Sequence, residues 1–110
     1  MSLAQTKDAL RQMLAVMEQE RQALAGLDLE AIMGCAADKT ALCDRLSRAS
    51  NDNLDEECRG LIEATRRLNE VNRQVRNLVA ANVSSRLDAL TGAPGVYKLA
   101  GARAGYARLA

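Results

Sequence analysis

A long run of regularly spaced side chains in the second half of the chain most constrains its fold. From residue 54 to residue 82, successive members of this run are three or four residues apart, which keeps them on one face of an α-helix. The members are Leu54, Cys58, Leu61, Thr65, Leu68, Asn72, Val75, Val79 and Asn82. The spacing predicts a helix over residues 54–90, which would be roughly 50 Å long.

Composition extends this expectation to the whole chain. Of its 110 residues, 48% are hydrophobic but only 2% are aromatic. Sandwich and α/β cores normally use aromatic side chains for bulk, whereas Leu, Val, Met and Ala suit closely packed helices. We therefore predict an all-α protein, an elongated three-helix bundle or coiled coil with a long C-terminal helix and a flexible tail.

Local signals place the first two helices at about residues 2–25 and 29–48. Ser2 followed by Gln5 is a capping-box pair, and Gly26 is expected to end the first helix. Asp28 has the short oxygen-bearing side chain that caps the next one. Asn53 with Glu56 is a similar pair, which indicates the start of the third helix.

The third helix is predicted to be longer than either of its partners. Part of its apolar face therefore needs a further partner, either a second copy of the chain in a homodimer or a client protein. The remaining residues, 91–110, contain four of the seven glycines, the only proline and both tyrosines. We expect this tail to be flexible in isolation, and it is either a partner-binding segment or a frayed terminus.

Charge is distributed unevenly along the chain. Residues 1–58 carry 6 basic and 11 acidic side chains, whereas residues 59–110 carry 9 and 3. An acidic front half packing beside a basic rear half explains this, and so would an acidic partner or nucleic acid for the rear half. The arginines are spread around the helix without a recognition motif or stacking aromatic side chains, so we expect no nucleic-acid binding.

Reactive chemistry is sparse in the sequence. Histidine is absent, and Cys35, Cys43 and Cys58 lack the spacing of a zinc site and occupy positions compatible with a helical core. We expect no enzymatic activity, no metal and no cofactor. Free thiols favour a reducing compartment. Because no signal peptide and no run of about 20 apolar residues is present, we expect a cytoplasmic protein without membrane insertion.

Two stretches resemble the FlgN-type family of flagellar export chaperones. ERQALAGLDLEAIMGCAADKTALCDRL, residues 20–46, is similar to the family's Gly/Leu-Asp-x-Glu-Ala pattern and its Lys-x-x-Leu step. Those positions are Asp28, Glu30, Ala31, Lys39 and Leu42. LNEVNRQV, residues 68–75, resembles the Leu-Asn-x-x-Asn element, at Leu68, Asn69 and Asn72. The likeness extends over about residues 10–100.

The chain departs from the family pattern at two places. Arg73 stands where the family often has glycine after its second asparagine. After the long helix the family often shows Leu-Tyr-Gly-x-x-Gly, but this chain has threonine at position 91. The nearest tyrosine is Tyr97, and we assign the missing tyrosine's place to it.

The resemblance implies a small helical cytoplasmic chaperone. Such proteins bind hook–filament junction proteins, prevent their premature assembly and deliver them to components of the flagellar type III export apparatus. The runner-up interpretation is a helical homo-oligomeric adaptor or scaffold without export function. The client-binding residues that we predict are Leu68, Asn69, Asn72, Val75, Leu78, Val79, Asn82, Leu87, Leu90 and Tyr97.

The asparagines on the apolar seam have two interpretations. Amides there lower the apolar character of an empty client surface and can hydrogen-bond a client helix. Alternatively, Asn72 and Asn82 fix the register of the bundle or of a homodimer, as buried amides do in coiled coils at some cost in stability. The sequence leaves both open.

Overall fold

Three α-helices make up the part of the chain that the structure describes, and no strand occurs in it. The structure is a computed structural model that describes residues 1–49 and 54–92. Helix α1 spans Leu3–Gly26, α2 spans Leu29–Leu46 and α3 spans Glu56–Thr91. The predicted all-α, three-helix architecture is confirmed, and each helix begins and ends within two residues of the expected position.

Helix α1 begins and ends as its sequence predicts, with Gly26 as its last residue. The Ser2 side chain accepts a hydrogen bond from the Gln5 N–H at 3.1 Å, and the Gln5 side chain accepts one from the Ser2 N–H at 2.8 Å. At the other end the left-handed residue is Leu27, with φ 54°, rather than Gly26. The Asp28 N–H then donates to the Ala23 carbonyl at 3.0 Å, which closes the helix.

The short connection returns the chain along α1, so α1 and α2 form a helical hairpin. Asp28 caps α2, because its Oδ1 accepts a hydrogen bond from the Ala31 N–H at 3.1 Å. The hairpin core is small and aliphatic. Its buried members are Met13, Met17 and Leu42, and Val16, Leu46 and Leu68 pack against them. Leu68 belongs to α3, so all three helices contribute to this cluster.

Helix α3 begins one residue after Asp55, whose Oδ1 accepts a hydrogen bond from the Cys58 N–H at 2.9 Å. The predicted capping residue Asn53 lies outside the described residues. The helix ends at Thr91, and the Gly92 that follows it has φ +67° and donates its N–H to the Asp88 carbonyl at 3.0 Å. Only the first two residues of the predicted tail lie within the described part of the chain.

The chain divides into two compact units, one of Met1–Asn72 and a second that begins at Arg73. The first contains α1, α2 and the first half of α3. Within the described residues, the second consists of the rest of α3 and Gly92. The two units are described separately below.

Candidate functional site

A buried polar network joins the three helices in the first unit, and Asn72 is its most buried member. The Asn72 side chain has no exposed surface, although its residue type is usually found at the protein surface. Its Nδ2 donates one hydrogen bond to the Met17 carbonyl at 2.9 Å and another to Glu20 Oε1 at 2.8 Å. Both acceptors belong to α1, so the amide sets the position of α3 along α1.

Glu20 is itself only 2% exposed, which makes it a buried carboxylate. Lys39 of α2 lies against it, with Nζ 3.3 Å from Oε1 and 3.4 Å from Oε2. Lys39 Nζ also donates to Asn69 Oδ1 at 3.1 Å. A buried charge is costly unless it is paired and hydrogen-bonded. In this network Lys39 supplies the opposite charge for Glu20, and the Asn72 amide supplies a hydrogen bond. The network therefore connects one residue of α1, one of α2 and two of α3.

This placement supports the register interpretation of Asn72. Both N–H donors of its side chain are used inside the protein, and no surface of the residue is accessible in this conformation. Its Oδ1 is buried without a hydrogen-bond partner, a further cost in stability. A polar side chain kept in the core at such a cost is typical of positions that specify helix alignment. Asn69 is exposed, but its Oδ1 accepts from Lys39.

The remaining predicted site residues occupy different environments. Leu68 packs against the aliphatic core, whereas Val75 and Val79 are half-buried and Asn82 is exposed. The rear leucines are the most accessible. Their exposed fractions are 70% for Leu78, 48% for Leu87 and 83% for Leu90. Tyr97 lies outside the described residues.

Sequence reasoning omitted two exposed valines from the site. Val71 and Val83 are both exposed, and each is three or four residues from another apolar side chain of the site. Val83, Leu87 and Leu90 are separated by four and three residues, so they lie on one face of α3. The spacing in the sequence could have identified them, but each valine is adjacent to a seam asparagine rather than on the seam, so following the seam did not include them.

A second polar cluster joins the beginnings of α1 and α3. Lys7 Nζ lies 2.6 Å from Asp55 Oδ2 and 3.1 Å from Glu57 Oε2, and Arg11 pairs with Glu57. The hydrogen bond from Lys7 lowers the pKa of Asp55 to about 2, with help from the Cys58 N–H. The pKa of Glu57 is also lowered, first by Lys7 and then by Arg11. In the sequence, Asp55 and Glu57 were explained as acidic residues that favour the start of a helix. That explanation did not predict their basic partners on α1.

The cysteines differ in accessibility. Cys35 and Cys58 are buried, as their helical positions predict, but the prediction is wrong for Cys43, which is exposed. Burial raises the pKa of the Cys35 thiol, with the nearby Glu20 carboxylate adding to the effect. Within residues 1–49 and 54–92, no group of three or more potential ligand side chains is arranged to hold a metal ion.

Comparisons with known proteins identify no relative: no family model, no curated protein and no solved structure matches this chain. None of the helices in the described residues combines the length and apolar character that crossing a membrane requires.

Proposed function

We propose that this chain is a cytoplasmic export chaperone that binds hook–filament junction proteins. In this role it prevents their premature assembly and delivers them to the flagellar type III export apparatus. The motif resemblance suggests the pathway and the client. One structural observation carries the more general part of the proposal, which is that the chain binds a protein: the rear half of α3 exposes large aliphatic side chains at helical spacing.

Within the described residues of the second unit, the large aliphatic side chains that are exposed are Leu78, Val83, Leu87 and Leu90. Single exposed apolar residues are common on proteins, but Val83, Leu87 and Leu90 are four and three residues apart, so they share one face of α3 and offer a continuous surface for a partner helix. Leucine and valine bind by burial and have no reactive groups. This surface therefore supports a binding protein rather than an enzyme.

The network around Asn72 supports the same role in a different way. It holds the first half of α3 at a defined position on the α1–α2 hairpin through hydrogen bonds and an ion pair. Within the first unit, this leaves less order to be gained if a partner contacts that part of α3. In this proposal Asn72 positions the helix and does not contact the client.

The alternative is a helical homo-oligomeric adaptor without export function. The same exposed leucines favour it, because a second copy could cover them as well as a client could. The two functions differ in whether the chain binds a purified junction protein. An adaptor of this kind would self-associate but would not bind the junction protein.

Titration calorimetry of the full chain with a purified hook–filament junction protein tests the proposal. Each buried aliphatic side chain contributes roughly 1.5–3 kcal/mol, so replacing both Leu87 and Leu90 by Ser should weaken binding at least about tenfold. Leu3→Ser is the matched control, because it removes an exposed leucine from α1 instead. Equal affinity for the double variant and the control would move the site away from α3.

Absence of any binding by the wild-type chain would refute the chaperone proposal. Salt dependence gives a second readout. Binding through aliphatic contacts should change little between low and moderate salt, whereas phosphate contacts make log affinity fall steeply with log salt. Salt-sensitive binding to duplex or single-stranded nucleic acid, without client binding, would instead assign the arginines of α3 to nucleic acid.

A further inference from the structure

The turn between α1 and α2 exposes three large apolar side chains. Leu27 is 52% exposed, Leu29 is 73% exposed and Met33 is 72% exposed. Leu29 and Met33 are four residues apart in α2, so they are neighbours on one face of that helix. Leu27 lies in the turn just before them. These three residues are called the tip patch below.

Leu27 adopts a backbone conformation that leucine normally avoids. Its φ of 54° is the only positive φ of a non-glycine residue within the described part of the chain. The left-handed position after a helix is usually occupied by glycine, because a Cβ is disfavoured there. About half of Leu27 remains exposed, so burial of its side chain within this chain offsets little of the free-energy cost of the left-handed backbone. Residues with strained backbone cluster at functional sites.

Acidic groups flank the tip patch. Asp28 and Glu30 are both exposed beside its leucines. An apolar patch with an acidic edge fits a helix whose apolar stripe has a basic edge. The chain contains such a helix surface itself, in the rear half of α3.

Val83, Leu87 and Leu90 form the rear stripe, which is exposed along one face of α3. Residues 71–90 contain three arginines and one acidic residue, Asp88, which is buried. Arg86 is exposed and lies next to the stripe, three residues after Val83 and one before Leu87. The rear stripe thus matches the tip patch in both respects: three aliphatic side chains face three apolar ones, and the Arg86 guanidinium meets the carboxylates of Asp28 and Glu30.

We propose that the tip patch of one copy of the chain docks on the rear stripe of a second copy. The contact joins two different surfaces, so it is heterologous. It involves three apolar side chains on each partner, well below the roughly 800 Å² per partner of a stable interface. Self-association is therefore weak and reversible. It covers part of the surface proposed for the client, but it does not depend on who the client is.

Sedimentation velocity of the full chain over a range of concentrations tests this contact through complementation. The tip variant carries Leu29→Ser and Met33→Ser, and the stripe variant carries Val83→Ser and Leu87→Ser. Each variant alone has lost one half of every contact, so each should remain monomeric where the wild type associates. An equimolar mixture contains one intact tip patch and one intact rear stripe per pair. The mixture should therefore form a one-to-one complex.

The variant Leu27→Gly distinguishes a contact made by the Leu27 side chain from a purely structural role of this residue. Glycine relieves the left-handed backbone, so the melting temperature should rise by about 4 °C. Loss of the leucine side chain should at the same time weaken self-association several-fold. A more stable protein with weaker association is the expected combination. A variant that is more stable but associates like the wild type would remove Leu27 from the contact.

Three results would overturn the proposal as a whole. A wild-type chain that stays monomeric up to millimolar concentration lacks the contact. A tip variant that associates like the wild type shows that another surface mediates association. A mixture that stays monomeric, while circular dichroism shows both variants folded, rules out a tip-to-stripe contact. None of these measurements involves a client, so their outcome does not depend on whether the export proposal is correct.

Discussion

Replacing Asn72 by alanine is the most direct test of the buried network. The substitution removes the Nδ2 donor from the Met17 carbonyl and from Glu20 Oε1, at 2.9 Å and 2.8 Å. It also removes Oδ1, which is buried without a hydrogen-bond partner. The net effect on stability therefore depends on which of these changes is larger.

A hydrogen bond to a charged group contributes about 1.5–3 kcal/mol and a neutral one about 0.5–1.5 kcal/mol. Against this loss, removing a buried acceptor without a partner recovers about 1–3 kcal/mol. The space left by the shortened side chain adds a cost of about 1 kcal/mol. Taking the middle of each range, Asn72→Ala should lower the free energy of unfolding by about 2 kcal/mol. For a domain of this size the melting temperature should fall by roughly 10 °C.

Urea denaturation followed by circular dichroism measures this change. Asn82→Ala is the matched control, because Asn82 is an exposed asparagine of the same helix, and it should change the free energy of unfolding by less than about 0.5 kcal/mol. Asn72→Leu loses the same two hydrogen bonds but regains apolar burial, so it should be more stable than Asn72→Ala. If Asn72→Ala and Asn82→Ala have equal stability, the network does not hold α3 in place.

Two further predictions concern protonation and thiol access. Because the pKa of Asp55 is lowered from 3.8 to about 2 in the folded chain, its contribution to stability is present above about pH 4 and is lost as the pH falls through 2. Asp55→Asn should therefore reduce the difference in melting temperature between pH 6 and pH 2, and an unchanged difference would contradict this role. In the native protein, iodoacetamide should modify Cys43 much faster than Cys35 and Cys58, as peptide mass spectrometry can show, and equal rates would contradict the observed burial.

Features that depend on neighbours in sequence were predictable. The reciprocal hydrogen bonds of Ser2 and Gln5 form as expected, because both groups lie within one helical turn. The same holds for the Asp28 cap of α2 and for the existence of three helices. Spacing of three and four residues determines which side chains share a face, and scarcity of aromatic side chains favours helices over sheets.

Local rules were less successful where two residue types could serve the same purpose. The predicted end of α1 at Gly26 is confirmed, but the sequence did not indicate that Leu27, the residue after it, takes the left-handed conformation. The position at which a helix is closed depends on where the next helix must start in order to pack. Cys43 likewise has core-compatible spacing, but the side of α2 on which it lies remains exposed.

The hydrogen-bond partners of Asn72 were revealed only by the tertiary structure. Spacing placed Asn72 on the packed face of α3, but spacing does not reveal that the Met17 carbonyl and the Glu20 carboxylate of α1 lie opposite it. Those groups are more than 50 residues away in sequence, and their approach depends on how the helices align. The sequence by itself determined the helices and their faces, because these follow from short-range periodicity. Which buried polar groups meet is a long-range property, and only the packing of α1, α2 and the first half of α3 determines it.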